Sequence, residues 1–430
     1  MNKTPLTNGT FPVHNFEQVK AKVLSWANRF GTFCFLDNHN YLIKPHSEEC
    51  LLAAGVKREL KANAGAALMQ LQAFIDQKKS WLFGHIGYDL KNETENISSS
   101  HPDRIQFPDL YFFEPETLIR LNKNNMIIEA EEPEKIFAAI DQQEQTPASA
   151  GEDITIQNRI SKQEYVRIIN QLKQHILRGD CYEINFCQEF FANDVSIDPL
   201  AVYKKLSLVS PNPFSALYKL HDKWLICASP ERFLKKQGHH ILSQPIKGTA
   251  KRVTENPEKD EYSKDQLLHS PKDRSENVMV VDLVRNDLAR VCEEGTVKVD
   301  ELYGIYSFPQ VHQLISTVSG KLKENISFTQ IIKAAFPMGS MTGAPKKRVM
   351  ELIEQYEKTA RGIFSGAVGY ISPDADFDFN VVIRSILFNA SSRYLSFLTG
   401  SGITFYSDAE KEWEECLWKA EAIKKVLKEK

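Results

Sequence analysis

The strongest local pattern in this chain is a capped helix that leads directly into a strand, between residues 161 and 190. Ser161 and Glu164 have the spacing of a capping box, which satisfies amides of a first helical turn. Apolar residues then recur at helical spacing up to Gly179: they are Tyr165, Ile168, Ile169, Leu172 and Ile176. Residues 181–190, CYEINFCQEF, alternate with the period of a strand. This segment therefore predicts a helix followed by a strand.

Further elements are predicted on both sides of this unit. Strands are expected at WLICAS, SGAVGYIS, FNVVIRSILF and YLSFLTG, and helices at 274–290, 345–358 and 408–429. Residues 142–153 are poor in apolar side chains and rich in turn formers, which is typical of a linker. We therefore predict an N-terminal region over 1–141, a linker over 142–156 and the main body over 157–430.

The composition excludes several classes of protein. The 430 residues are 42% hydrophobic and 25% charged, with a net charge of −3, so no basic footprint for nucleic acid is present. No run approaches the roughly 18 apolar residues that a membrane helix requires. The seven cysteines lack CxxC spacing, which favours a reducing cytosol over a disulfide framework or a zinc site. A cytoplasmic protein that handles small molecules is expected.

One lysine stands where a strand is expected to enter a turn. Lys247 lies between Ile246 and Gly248 in SQPIKGTAKR. A lone lysine in such a place is usually a solvated loop residue. A lysine held in a pocket can instead act as an amine nucleophile.

Two pairs of acidic residues lie at helical spacing. Asp273 and Glu276 stand at an expected helix start, where carboxylates also complement the helix dipole. Glu412 and Glu415 share a helix face with Lys419, and an i,i+4 surface ion pair is the simpler interpretation of Glu415 and Lys419. Together the two pairs could hold a hard divalent cation such as Mg²⁺.

Three other features have two interpretations each. FPMGSMTGAPK at 336–346, which contains Ser340, has the glycines and proline of an anion-binding helix start but not the order of a Walker A loop. His312, within an apolar segment, is more often a hydrogen-bonded core residue than a catalyst. Arg384, also in apolar surroundings, needs a partner, for which a carboxylate is suited.

Taken in order, seven motifs resemble those of the chorismate-utilising enzyme family, which includes anthranilate synthase component I and aminodeoxychorismate synthase component I. They are SPERF (229–233), PIKGT (245–249), KDRSENVMVVDLVRNDLARV (272–291), FPQVHQLIST (308–317), FPMGSMTGAPK (336–346), SGAVGYIS (365–372) and EWEECLWKAEA (412–422). The resemblance is dense over about residues 155–430 and weaker before them. It implies an α+β fold in which two antiparallel sheets pack together with helices outside.

The resemblance also implies a role for each candidate residue. Glu276 and Glu415 would bind Mg²⁺, supported by Asp273 and Glu412, and the metal would hold the ring carboxylate of chorismate. A second carboxylate would be bound by Tyr370, Arg384 and the amides of a turn at Gly400, Ser401 and Gly402. Ser340 and His312 would line the ring side, Lys419 would lie near the metal carboxylates, and Glu231 would act as an acid on the C4 hydroxyl.

Lys247 distinguishes the branches of this family. Anthranilate-forming members resemble PIAGT or PLAGT, whereas the aminodeoxychorismate branch resembles PIKGT, as here. In that branch the lysine would attack C2 of chorismate, and ammonia would then enter at C4. Hydrolytic relatives carry a water-activating lysine at the position of Glu183, and relatives that aminate chorismate usually carry glutamine. The role of Glu183 stays open.

The resemblance and the absent motifs together imply partners. The chain has no glutaminase motif such as GxCxG, so ammonia from a separate glutamine amidotransferase subunit is expected, with a downstream lyase making 4-aminobenzoate for folate. Two alternatives remain: anthranilate synthase component I, and a non-catalytic subunit that binds an amidotransferase.

Overall fold

A computed structural model describes residues 6–41, 50–144 and 154–428. Its helices are α1 (Phe16–Ala27), α2 (Ala67–Asp76), α3 (Lys91–Thr94), α4 (Pro133–Asp141), α5 (Lys162–Leu177), α6 (Pro199–Val209), α7 (Pro257–His269), α8 (Pro271–Ala289), α9 (Phe328–Ala335), α10 (Lys346–Tyr356) and α11 (Ala409–Lys428). Short 3₁₀ turns cover Tyr88–Leu90 and Gly339–Met341.

The strands form two sheets. They are β1 (Thr7–Pro12), β2 (Thr32–Asp37), β3 (Cys50–Ala54), β4 (Arg58–Ala62), β5 (Leu82–Ile86), β6 (Leu110–Glu114), β7 (Thr117–Leu121), β8 (Asn125–Ala130), β9 (Gln157–Asn158), β10 (Glu183–Ala192), β11 (Phe214–Leu220), β12 (Lys223–Ser229), β13 (Arg232–Gln237), β14 (His240–Gln244), β15 (Ile246–Lys251), β16 (Lys298–Ser307), β17 (Val311–Lys321), β18 (Gly343–Ala344), β19 (Ala367–Ile371), β20 (Phe377–Asn380), β21 (Ser385–Asn389) and β22 (Tyr394–Ile403).

Each sheet joins strands from both ends of the chain. The first has the order β1-β8-β7-β3-β2-β11-β12-β21-β22-β10-β18, with β9 beside β10; the second has the order β15-β17-β14-β13-β20-β19-β5-β6-β4, with β16 beside β17. The joins are β2 with β11 and β5 with β19, both antiparallel. The division at 142–156 stays a prediction, and residues 145–153 of that linker lie outside the described residues.

Two apolar cores explain why the strands of the first sheet are buried on both faces. Along β10, Ile184, Phe186 and Phe190 pack with the helix-covered side, where α5, α6 and α11 contribute. Cys187 and Phe191 face the core shared with the second sheet. All ten residues of β10 are therefore buried, and their alternation separates two cores instead of core from solvent. The α+β fold of two packed antiparallel sheets with helices outside is confirmed.

The predicted elements are mostly confirmed, with one correction. The helices at 161–179, 274–290, 345–358 and 408–429 correspond to α5, α8, α10 and α11. Ser161 caps α5 by accepting a hydrogen bond from the Glu164 amide at 3.2 Å. The strand expected over FNVVIRSILF is wrong as one element: β20 ends at Asn380 and β21 begins at Ser385, with Arg384 between them at a φ of +51°. Across the described ranges, each helix is too short or too polar to span a bilayer.

Candidate active site

A cavity of about 170 Å³ lies where β15 of the second sheet meets β10 and β22 of the first, beside α8 and α11. Eleven of the fourteen residues assigned by sequence line it. They are Glu231, Lys247, Asp273, Glu276, Ser340, Arg384, Gly400, Ser401, Gly402, Glu415 and Lys419. The structure thus brings together groups from segments that are far apart in sequence.

Lys247 reaches this cavity from an irregular point in β15. The register between β15 and β17 shifts between Ile246 and Thr249, so Lys247 and Gly248 form a bulge, a device that re-aims side chains. Gly248 has a φ of +94°, which only glycine adopts freely, and a Cβ there would lie 3.1 Å from the Asp273 Cβ. The glycine thus permits the backbone turn that carries the lysine to the cavity wall.

The amine of Lys247 is held by carboxylates. Its Nζ forms an ion pair with Oε1 of Glu183, and the lysine is only 9% exposed. Burial alone lowers the pKa of Lys247, but the charges of Glu183 and Glu276 and the Glu183 hydrogen bond raise it above its ordinary value. The lysine is therefore an ammonium ion in the free protein, and it must lose a proton before it can act as a nucleophile.

Glu231 and Arg384 lie at the same cavity on short connections between strands. Burial raises the pKa of Glu231 to about 7, so its carboxyl group carries a proton over part of the neutral range. Burial also lowers the pKa of Arg384 to about 10, while the charge of Glu231 opposes that shift. The positive φ of Arg384 is uncommon for a residue other than glycine and is typical of a side chain held for function.

Acidic residues of α8 and α11 converge on Lys272, which lines the cavity. Lys272 Nζ lies 3.0 Å from Glu412 Oε1 and 3.8 Å from Glu276 Oε1. Burial raises the pKa of Glu276 to about 7. Among the described residues, Oε1 of Glu276 and Oε2 of Glu412 have no hydrogen-bond partner. These carboxylates therefore have buried acceptor capacity that a cation could use.

The carboxylates at the cavity suit a cation that is also coordinated by water and substrate better than one held by protein ligands alone. In the described ranges, no group of three or more His, Cys, Asp or Glu side chains is close enough to hold a metal by itself. Mg²⁺ often takes one or two carboxylates and completes its shell with water and an anionic substrate. Glu276 and Glu415, both at the cavity, fit that arrangement, with Asp273 beside them.

The predicted i,i+4 pair on α11 exists and also lines the cavity. Lys419 Nζ lies 2.8 Å from Glu415 Oε1 and donates to the Gly400 carbonyl at 2.9 Å. The charge of Lys419 lowers the pKa of Glu415. The turn expected at 400–402 is wrong, because these residues belong to β22 and pair with Asn185, Phe186 and Cys187 of β10.

Three assigned residues lie away from the cavity lining. His312 is 2% exposed and binds Ser307 Oγ at 2.8 Å and Asp260 Oδ1 at 3.2 Å, so it is the hydrogen-bonded core histidine of the simpler interpretation. Tyr370 packs on Trp81, with ring centroids 5.4 Å apart, and borders a separate cavity of about 40 Å³. Glu412 is buried behind Lys272. The structure does not bring His312 or Tyr370 to the cavity, and it places Glu412 behind the cavity wall, in contact with Lys272.

Several cavity residues were missed by the sequence reasoning. Lys272 stands one turn before Glu276, and this i,i+4 spacing was a usable signal. Thr249 belongs to the quoted PIKGT motif, and Asn185 and Gln313 lie in the quoted strand segments. Their contribution depends on which face of each strand turns inward, which the local pattern did not specify.

Comparison with known proteins agrees with this geometry. A family model described as chorismate binding enzyme matches residues 24–425. Aminodeoxychorismate synthase component 1 of Salmonella typhimurium is 38% identical over 267 residues, which cover 62% of this chain and 58% of that protein. The protein of the same name from Escherichia coli K12 is 33% identical over 348 residues, covering 80% and 76%.

A solved structure shows the same fold. Anthranilate synthase component I from Streptococcus pneumoniae superposes with a TM-score of 0.77 and 25% identity, covering 90% of this chain and 94% of that one. The sheets, the cavity and the matched residues lead to one conclusion: the chain belongs to the family of chorismate binding enzymes.

Proposed function

We propose that this chain is the synthase component of an aminodeoxychorismate synthase, which converts chorismate and ammonia to 4-amino-4-deoxychorismate. The observation that carries the proposal is the buried amine of Lys247 at the wall of the same cavity as Glu231. The relatives named aminodeoxychorismate synthase component 1 support it. Burying the charge of a lysine requires carboxylate partners, and here the lysine that has such a partner stands at the wall of a cavity that could admit a substrate.

The proposed reaction has two displacements. The neutral Lys247 Nζ forms a bond to C2, the ring double bonds shift toward C4, and the C4–O bond breaks. The proton of Glu231 leaves with the hydroxyl as water. Ammonia then bonds to C4, the double bonds shift back, and the C2–N bond breaks to release Lys247. The ammonium formed at C4 loses one proton, which restores the acid form of Glu231.

Charged groups around the cavity would hold the two carboxylates of chorismate. Arg384 and Lys419 supply cationic donors. Glu276 and Glu415 would hold Mg²⁺, with Asp273 beside them and Glu412 behind Lys272. When bound, Mg²⁺ would neutralise and orient a substrate carboxylate. Burial favours the protonated form of Glu276, so Glu276 would have to lose its proton to serve as a ligand.

The proposed partner is a glutamine amidotransferase subunit, which would supply ammonia, and the product would serve 4-aminobenzoate and folate synthesis after a lyase step. The "component 1" in the names of the relatives supports a second component. We propose the cytosol as the location, because all seven cysteines are buried free thiols.

Product analysis tests the proposed function directly. The purified chain is incubated with chorismate, Mg²⁺ and excess ammonium, with and without an added aminodeoxychorismate lyase. We expect 4-aminobenzoate only when the lyase is present. Anthranilate formed without lyase would contradict the proposal and assign the chain to the anthranilate-forming branch. Unchanged chorismate in every mixture would favour a non-catalytic subunit.

The pKa of Glu231 predicts an alkaline decline in activity. Because Glu231 must carry a proton to help the hydroxyl leave, kcat/KM should decrease above about pH 7, where this acid loses its proton. Glu231→Gln should lower kcat/KM by about 10²–10⁴-fold and abolish that decline. The profiles are measured at a fixed concentration of free ammonia. The same decline in Glu231→Gln would show that another group causes it.

A further inference from the structure

Glu183 is rigidly placed at the first position of β10. Its backbone pairs with Ala344 of β18, and the flanking amides of Tyr182 and Asn185 donate to the carbonyls of Ala344 and Thr342 at 2.8 and 2.7 Å. Glu183 is 1% exposed. A side chain held in this way has little freedom to move when a ligand enters the cavity.

The carboxylate of Glu183 is directed at Lys247. Oε1 forms the ion pair with the lysine Nζ, while Oε2 is buried without a hydrogen-bond partner among the described residues. Gly402 of β22 closes over the pair, because a Cβ there would lie 2.7 Å from both Glu183 Oε1 and Lys247 Nζ. The absence of a side chain at Gly402 leaves the room that this contact occupies. One buried acceptor oxygen therefore remains unused beside the amine.

Other charged groups surround Lys247, but in the part of the chain that the structure describes only Glu183 accepts a hydrogen bond from its Nζ. Glu276 and Lys272 approach from α8, Glu231 and Arg384 from the connections beside β12 and β21, and Glu415 and Lys419 from α11. Glu276 and Glu231 act on Lys247 through their charges alone. Glu183 acts through its charge and also accepts a hydrogen bond from the Lys247 Nζ. Glu183 is thus the group to which a proton on Nζ is already directed.

Building on the function proposed above, we propose that Glu183 is a positioning residue that orients the Lys247 amine and accepts the proton it must lose before attacking chorismate. The N–H bond of the ammonium breaks as the proton moves to Glu183, which becomes a carboxylic acid. The freed lone pair of Nζ then forms the bond to C2. When ammonia at C4 expels the lysine, the proton returns from Glu183 to Nζ, and both groups regain their starting charges.

Glutamine in place of Glu183 separates orientation from proton transfer. Its amide oxygen can accept the same hydrogen bond in the same space, but the neutral amide cannot take the proton. The substitution also removes a negative charge beside Lys247, so a larger fraction of the lysine should be neutral. The role of proton acceptor predicts slower turnover from a lysine that is easier to deprotonate. If Glu183 only stabilised the charge of Lys247, the more easily deprotonated lysine should give turnover as fast as wild type or faster.

The test compares wild type with Glu183→Gln and Glu183→Asp. Turnover is measured by the lyase-coupled assay at fixed free ammonia. The reactivity of Lys247 is measured without substrate, by brief acetic anhydride labelling at about pH 8, where amine reactivity follows the neutral fraction, and mass spectrometry of its peptide. Glu189→Gln is the matched control, because Glu189 is a buried glutamate of the same strand that pairs with Arg159 at 2.8 Å.

For Glu183→Gln we expect kcat to decrease by about 100-fold or more, as for the loss of a proton-transfer group. KM should stay within about threefold, because Glu183 lies behind Lys247. Labelling of Lys247 should increase, by about tenfold for each unit that its pKa decreases. Glu183→Asp should retain more activity than Glu183→Gln, and the control should match wild type in both measurements.

Two results would overturn the role of Glu183 while leaving the proposed function intact. One is 4-amino-4-deoxychorismate formation by Glu183→Gln at or above the wild-type rate. The other is slower turnover with unchanged labelling, which would show that Glu183 does not act through Lys247. Anthranilate from wild type would instead refute the proposed function, and the proton transfer with it.

Discussion

Lys247→Arg is expected to lower aminodeoxychorismate formation by at least about a thousandfold while the protein stays folded, because the nucleophile is lost. The guanidinium group keeps a positive charge against Glu183 and Glu276, so the buried carboxylates stay paired. It cannot lose its proton in the working pH range and so cannot attack C2. The lyase-coupled assay measures the loss, and thermal unfolding verifies the fold.

Lys235→Arg is the matched control for this substitution. Lys235 is likewise a 9% exposed lysine in an ion pair, with Asp378 at 3.5 Å, but it lies on β13 away from the cavity. It should retain activity close to wild type. If Lys247→Arg kept more than about a tenth of the wild-type rate, a difference of about 1.4 kcal/mol, covalent catalysis by this lysine would be refuted.

Arg361→Met is expected to lower the free energy of unfolding by about 3–5 kcal/mol, because it leaves a buried carboxylate without its partner. Arg361 is 2% exposed and bonds both carboxylate oxygens of Glu357, at 3.0 and 2.6 Å. It also donates to the carbonyls of Met341 and Asn185, at 2.8 and 2.9 Å. Since Met341 and Asn185 line the cavity, the fraction that folds should also lose activity.

Denaturant unfolding of single and double variants tests this explanation. Arg361→Met combined with Glu357→Met should be more stable than Arg361→Met alone, because the double variant buries no unpaired charge. Arg348→Met is the control: its pair with Glu351 is 42% exposed on both sides, so a change within about 0.5 kcal/mol is expected. Additive losses in the double variant would show that Arg361 acts through its carbonyl contacts alone.

The sequence motifs predicted the site better than they predicted its geometry. Lys247 and Glu231 were assigned from motifs in a familiar order, and the structure places both at one cavity. His312 does not line the cavity, but its neighbour Gln313 does, because successive residues of a strand face opposite sides. Local spacing cannot specify which face of β17 turns inward, because that depends on the sheet packed against it.

Glu183 shows the other limit of sequence-based prediction. A glutamate is unusual at this position of the motif, but its partner lies in β15, and no periodic pattern links that strand with β10. Such contacts arise from tertiary packing. The interpretation of Glu415 and Lys419 was incomplete for the same reason, because the ion pair follows from helix geometry whereas its place at a cavity does not.

The joining of early and late strands in each sheet has a consequence during protein synthesis. As the chain leaves the ribosome, β2 and β5 emerge long before their partners β11 and β19. Until then each presents an open edge of backbone amides and carbonyls, the kind of surface that recruits strands from other chains. Pairing over such long sequence separations is slow, so these edges of the nascent N-terminal part are expected to stay open to aggregation until it is complete. Expression of residues 157–430 alone would leave β11 and β19 with the complementary open edges.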